Sequence, residues 1–174
     1  MKNIMITGAP GAGKTTIIKR LCVIFKEFNP VGFITSEIIE DENRVGFEVA
    51  NLFGDSRVFA HTKLKSKVSV GKYKVDIRTF DDFLDKTFSR EKKTGLYIID
   101  EIGKVECASK KFLKLIPELL DSNKPVIAAV ADKGTGFIHD IKKREDVILL
   151  EITDQNSDLR IKELTMMIRD LLLE

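Results

Sequence analysis

The sequence predicts an α/β fold: a mostly parallel sheet flanked by helices, with an antiparallel β-rich insertion over 31–77. Three observations carry this. An apolar run, a glycine-rich turn and an amphipathic stretch follow one another over residues 2–28. The same alternation of short apolar runs and helical periodicity returns from 95 to the C-terminus. Strand–helix alternation of this kind builds a parallel sheet wrapped by helices. Between the two, 31–77 has β-rich segments and turn residues but no sustained helical period. At 174 residues, with no linker, repeat or low-complexity tract, residues 1–174 read as one domain.

Each element has its own signal. Lys2–Thr7 carries Ile4, Met5 and Ile6 and stops at glycine, as a buried strand does. Lys14–Phe28 repeats apolar residues at Ile17, Ile18, Leu21, Cys22, Ile24 and Phe25, a helical spacing. Asn29-Pro30 ends it, because proline disfavours helical backbone at the residue before it. Val31–Ile39 and Arg44–Ala50 flank the turn residues Asp41, Glu42 and Asn43 and read as a hairpin. Ser56–His61 and Val68–Ile77 read as further short strands. Thr79–Ser89 sets Phe80, Phe83, Leu84 and Phe88 on one helical face. Gly95 opens a buried strand, Leu96–Ile99, that ends in Asp100 and Glu101. Ser109–Ser122 is helical, with Pro117 either kinking it or opening a second helix. Pro125–Ala131 and Val147–Ile152 are strands; Phe137–Lys143 and Leu159–Leu173 are helices.

Composition narrows the class. Hydrophobic residues make up 43% and charged residues 32% of the chain, an ordinary globular balance. The formal net charge is only +2, which gives no bulk attraction to nucleic acid or anionic membrane. The longest apolar runs fall far short of the ~20 residues that span a bilayer. Residues 1–10 lack the long apolar region of a signal peptide, so a cytoplasmic location is expected. Two cysteines, Cys22 and Cys107, exclude a disulfide scaffold. His61 and His139 lack neighbours at metal-ligand spacing.

The decisive motif is Gly8-Ala9-Pro10-Gly11-Ala12-Gly13-Lys14-Thr15, which fits the P-loop pattern G-x-x-x-x-G-K-[ST] between a strand and a helix. Glycines let the backbone curl with its N–H groups inward. The helix N-terminus that follows favours an anion. Lys14 reaches the β- and γ-phosphates of a nucleotide, the Thr15 hydroxyl suits Mg²⁺, and Thr16 suits the α-phosphate. The strand ending in Asp100 matches Walker B geometry, with Asp100 on the Mg²⁺ side. Glu101, directly after it, stands where a carboxylate aligns and polarises a water in line with the γ-phosphorus. That arrangement favours hydrolysis over transfer to an organic acceptor.

With these residues in view, the chain resembles the small thermophilic-type P-loop nucleoside-triphosphatases, whose animal members are called cancer-related nucleoside-triphosphatases. The matching strings are the P-loop with Thr15-Thr16; Val31-Gly32-Phe33-Ile34-Thr35 with Glu37; Arg44-Val45-Gly46-Phe47; and Val70-Gly71-Lys72-Tyr73 with Val75-Asp76. Asp100-Glu101-Ile102-Gly103-Lys104 with Glu106 is the most distinctive. Arg144 with Asp146-Val147, and Thr153 with Asn156, complete the set. The resemblance implies a RecA-like, additional-strand P-loop fold. It implies Mg²⁺-dependent hydrolysis of ATP, GTP, CTP and UTP to diphosphates with loose base preference. It also implies that Gly8–Thr15 and the segment Leu96, Tyr97, Ile98, Ile99, Asp100, Glu101, Ile102, Gly103 line the nucleotide site. Ile39 and Ser157 stand where the family usually carries arginine.

Other residues have competing readings. Lys104 either neutralises charge at the γ-phosphate or pairs with Glu101 or Glu106. Arg144 acts as a cis arginine or as a helix C-terminal charge. Glu37 sits near Mg²⁺-bound water or is simply half exposed. Lys63, Lys65, Lys67, Lys72 and Lys74 form a basic stretch with one aromatic, Tyr73. That suits a solvated, edge-protecting face better than a nucleic-acid patch. Two other functions fit the motifs. One is a nucleoside or nucleotide kinase, with Lys133, Lys142, Lys143 and Arg144 as its basic lid. The other is a nucleotide-dependent switch acting with RNA or a protein.

Overall fold

The computed structural model describes residues 2–89 and 93–173. β1 (Asn3–Thr7) runs into α1 (Lys14–Ile24). The helix stops earlier than its apolar spacing suggests. Phe25 leaves helical geometry, Lys26–Phe28 tightens into a 3₁₀ turn, and Asn29 adopts a left-handed conformation before Pro30. Then come β2 (Val31–Glu40), β3 (Asn43–Asn51), β4 (Ser56–His61), β5 (Ser69–Val70) and β6 (Tyr73–Val75). α2 (Ile77–Phe88), β7 (Tyr97–Ile102), α3 (Lys110–Asp121), β8 (Val126–Val130), α4 (Phe137–Lys142), β9 (Val147–Glu151) and α5 (Ser157–Leu173) follow. Pro117 lies inside α3, which continues through it as one helix.

All nine strands belong to one mixed sheet, ordered β5-β6-β4-β3-β2-β7-β8-β1-β9. β2, β7, β8, β1 and β9 are parallel neighbours. β3, β4, β6 and β5 extend the sheet antiparallel beyond β2. β8 separates the P-loop strand from the strand carrying Asp100, which is the additional-strand arrangement. The sheet draws the border of the insertion differently from the sequence. Val31–Ile34 pairs parallel with Tyr97–Asp100, so the start of β2 belongs to the parallel part. The antiparallel pairing with β3 begins at Phe33, while β2 is still paired with β7.

Alternation along the central strands buries both faces. Ile4, Ile6, Leu96, Ile98, Ile127 and Ala129 pack under α1 and α5 through Ile17, Ile18, Leu21, Phe25, Leu164 and Ile168. The opposite face sets Met5, Phe33, Tyr97, Ile99, Ala128 and Val130 against α2, α3 and α4. There Phe33, Phe80, Phe83 and Phe112 meet edge-on or tilted, the arrangement aromatic quadrupoles prefer. Both-sided burial explains why these strands read as continuous apolar runs. Asp76 caps α2 by accepting the Thr79 N–H, and Ser109 caps α3 by accepting the Phe112 N–H.

Gly32 sets how closely β2 approaches β7. A Cβ there would collide with the carbonyl of Ile98, and its φ of +156° disfavours any side chain. Gly32→Ala is expected to destabilise the fold by about 3 kcal/mol or more, since backbone on a central strand cannot step aside. Urea unfolding measures this.

β5 is a sheet edge, and Lys67, Lys72 and Lys74 lie on or beside it. Charged edges resist pairing with other chains. Lys63 pairs with Glu40, and Lys74 donates to the Ser69 hydroxyl. No helix among the described residues is long and apolar enough to cross a membrane.

Candidate active site

The site forms at the C-terminal ends of β1 and β7. After Thr7 the chain curls through Gly8–Gly13 and enters α1. Gly13 is the N-cap of α1 in left-handed geometry, so it offers no capping side chain, and no acidic residue lies in the first turn. The first-turn amides of Lys14, Thr15 and Thr16 therefore have neither intrahelical acceptor nor side-chain cap. They are donors aimed at an anion, reinforced by the helix dipole. Behind the loop, a Cβ on Gly8 would strike the Ile152 carbonyl. That carbonyl belongs to the turn after β9. Asn156 braces the same turn, accepting the Thr153 N–H and donating to the Glu151 carbonyl.

The Lys14 ammonium folds over the loop and donates to the carbonyls of Gly8 at 2.6 Å and Ala9 at 3.3 Å. Its charge is thus already held at the mouth where phosphate oxygens would lie. Asp100 reaches the same place from β7. Its carboxylate accepts the Thr15 hydroxyl, is 2% exposed, and has one oxygen, Oδ2, without a hydrogen-bond partner. Burial pushes its pKa up to about 6; the Thr15 bond and the charges of Lys14 and Lys19 pull the other way. A buried carboxylate with an unpartnered oxygen beside a hydroxyl is a hard-oxygen donor pair, and it fits Mg²⁺. Among the described residues no group of three His, Cys, Asp or Glu is arranged to hold a metal. Any ion here would complete its shell with substrate oxygens and water.

Glu101 is partly buried, and its peptide bond to Asp100 is cis. Burial raises its pKa and the Glu37 carboxylate adds to the rise, while Lys14 and Arg44 oppose it. Its Oε1 and the Oε2 of Glu106 each lie 2.8 Å from where a Cβ on Gly103 would stand. Only a glycine lets these two carboxyl groups share the space. Glu106, 3% exposed, accepts the Thr35 hydroxyl at 3.2 Å. Burial first, then the Glu101 charge, push its pKa up to about 8.

Glu106 therefore carries its proton at neutral pH, which makes stability depend on pH. Folded Glu106 binds its proton up to about pH 8, while the unfolded residue releases it near 4.5. Stability falls as pH rises through that window and is level outside it. Glu106→Gln removes this residue's share of the slope and leaves the smaller share of Asp100. The variant is expected to gain on the natural protein by on the order of a few kcal/mol between pH 5 and 9. Thermal melts across that range check it.

The remaining sequence-predicted residues divide clearly. Leu96, Tyr97, Ile98 and Ile99 are buried within the sheet, and their side chains serve its two cores. They carry Asp100 to its position. Ile102 is likewise core, and Gly103 gives the carboxyl groups room. Lys104 is exposed and makes no ion pair with either glutamate among the described residues. Arg144 is corrected as well. It bonds Asp146 and Asp121, and Asp146 in turn bonds Asn3 at the start of β1. That is the opposite end of the strand from the P-loop, so Arg144 is a structural tie there. In the basic segment before it, Lys142 donates to the Asp132 carbonyl, just past the end of β8. Glu37 is exposed and pairs with Arg44 at 2.7 Å. Ile39 is exposed on β2 opposite Arg44. Burial raises the Cys22 thiol to about 11 and that of Cys107 to about 12, so neither is a thiolate at neutral pH.

A sequence profile described as NTPase matches residues 3–165. The chain belongs to the NTPase family. Among curated members, the nucleoside-triphosphatase THEP1 of Thermotoga maritima is 38% identical over 162 residues, covering 92% of each chain. The THEP1 nucleoside-triphosphatase of Aquifex aeolicus is 32% identical over 171 residues, covering 92% of this chain and 96% of its own. The Aquifex crystal structure superposes with a TM-score of 0.83 at 30% identity, over 93% of this chain and 96% of that one. The solution structure of a human cancer-related nucleoside triphosphatase superposes with a TM-score of 0.81 over 98% of each chain. At 24% identity that likeness concerns the fold alone. The P-loop NTPase fold expected from the sequence is therefore the fold observed, its mixed nine-stranded sheet flanked by helices.

Sequence reasoning did not foresee several members of this NTPase's site. Thr153 and Asn156 stand among the family strings, but nothing local shows that their turn sets the Ile152 carbonyl behind Gly8. The Thr35–Glu106 bond joins β2 to the turn after β7. Arg44 reaches Glu37 and the Tyr73 hydroxyl across the antiparallel extension.

Proposed function

We propose that this chain hydrolyses nucleoside triphosphates, ATP and GTP among them, to diphosphate and phosphate. One observation carries the reading: the buried Asp100 and the partly buried Glu101 of β7 act electrostatically on the same P-loop lysine, although β8 separates their strands. THEP1 relatives named as nucleoside-triphosphatases support it.

The P-loop amides and Lys14 hold the β- and γ-phosphates. Thr15 and Asp100 would hold Mg²⁺, which when bound offsets phosphate charge. Glu101 orients a water against the γ-phosphorus and accepts its proton. The water oxygen bonds to phosphorus as the bond to the bridging oxygen breaks, and the electron pair of that bond stays on the departing diphosphate. Partial burial of Glu101 raises its affinity for the proton.

The test is phosphate release from Mg²⁺ with ATP, GTP, CTP or UTP and no acceptor present. Release from all four is expected. Release only when an organic acceptor is added would instead make the chain a phosphotransferase.

A further inference from the structure

The proposed reaction builds negative charge on the γ-phosphate, and P-loop hydrolases commonly answer it with an arginine. Two cations that the sequence offered for this work lie elsewhere: Lys104 faces solvent and Arg144 sits at the far end of β1. A third cation does reach the site. Ile34 on β2 is in register with Asp100, and β2 continues past the end of that pairing. Thr35 and Glu37 alternate onto one face of it. The Thr35 hydroxyl meets Glu106, whose carboxyl group adjoins Glu101 at Gly103. Glu37 is the next residue along that face, and it holds Arg44.

The way Arg44 is held separates its two ends. Nε donates to the Tyr73 hydroxyl at 2.9 Å, and the guanidinium lies 5.4 Å from the Phe47 ring centroid and 5.9 Å from that of Tyr73. Those contacts hold the guanidinium by its Nε edge and leave the Nη edge to Glu37. Nη1 donates to Glu37, and both partners of that pair are about half exposed. Such a half-exposed pair contributes little and is easily exchanged. A phosphate oxygen, carrying more charge, is the stronger acceptor. Arg44 and Lys14 are the cations that act on the Glu101 carboxylate.

We propose that Arg44 is a catalytic arginine supplied in cis, parked on Glu37 beside Glu101 and transferred to the γ-phosphate when a nucleoside triphosphate binds. This rests on the hydrolase reading above. Arg44 makes and breaks no covalent bond. Its N–H groups donate to γ-phosphate oxygens while the phosphorus exchanges the diphosphate oxygen for that of water.

The experiment is single-turnover phosphate release by the full chain carrying Arg44→Ala or Arg44→Lys, with nucleotide affinity and melting temperature measured alongside. Arg44→Ala is expected to slow release on the order of 10²-fold, with affinity changed only a few-fold. Guanidinium ion, added below denaturing concentrations, restores part of the rate, and methylammonium does not. Arg44→Lys keeps the charge and the fold but loses the fork, so its kcat falls while KM holds. A natural rate in Arg44→Lys, or a loss in Arg44→Ala that guanidinium leaves unchanged, overturns the assignment. If the natural chain itself releases no phosphate, the hydrolase reading fails. If it does and the variants keep pace, only the arginine assignment fails.

Discussion

Glu101→Gln is expected to bind nucleoside triphosphate about as tightly as the natural chain and to hydrolyse it on the order of 10²–10⁴-fold more slowly. The substitution preserves volume and one hydrogen-bond acceptor, so the space around Gly103 stays filled. It also removes a buried negative charge next to Asp100 and Glu106, and both of those carboxyl groups feel that charge. The fold is therefore no less stable, and the loss is confined to the step that needs a proton acceptor. Single-turnover phosphate release paired with equilibrium binding separates the two effects. A variant that turned over at the natural rate would remove Glu101 from the mechanism.

Lys14→Ala has the complementary signature. The ammonium already spans the loop through the Gly8 and Ala9 carbonyls, so an arriving γ-phosphate replaces weaker acceptors with a stronger one. Charge-assisted bonds of this kind contribute about 1.5–3 kcal/mol. Affinity for triphosphate should fall by roughly 10- to 100-fold. Affinity for diphosphate should fall less, because one of the phosphates Lys14 reaches is missing. Calorimetric titration of both nucleotides measures the contrast. Equal losses for the two would mean that Lys14 does not reach the γ-phosphate.

What the sequence made legible was local. The apolar runs at 4–6, 96–99 and 126–131 are strands because each is buried on both faces, and burial leaves its mark on composition. The P-loop was legible because its glycines and its lysine serve backbone geometry and charge within a few residues. What stayed hidden depends on register between distant segments. That Val31–Ile34 joins the parallel sheet follows from the close approach of Gly32 to Ile98, which no property of 31–34 alone reveals. Lys104 was favoured by adjacency to Glu101, yet the chain turns after Gly103 so that Glu106 goes inward and Lys104 outward. Arg44 opens one of the family strings, but nothing local shows what it meets. Its meeting with Glu37 is set by the irregularity in β2–β3 pairing between Ile38 and Ile39. The helix after the P-loop was read too long because Phe25 and Phe28 continue the apolar pattern. The 3₁₀ turn still buries Phe25 and half-buries Phe28 without extending α1.

The central claim is that the γ-phosphate lies between the P-loop and the Asp100–Glu101 pair, with the attacking water on Glu101. The most direct measurement is a crystal structure of Glu101→Gln with Mg²⁺ and an intact nucleoside triphosphate. The account predicts the terminal phosphate against the Lys14 ammonium, the ion between Thr15 and Asp100, and a water between residue 101 and the phosphorus. A triphosphate whose terminal group points away from β7, with no water between residue 101 and the phosphorus, would contradict it.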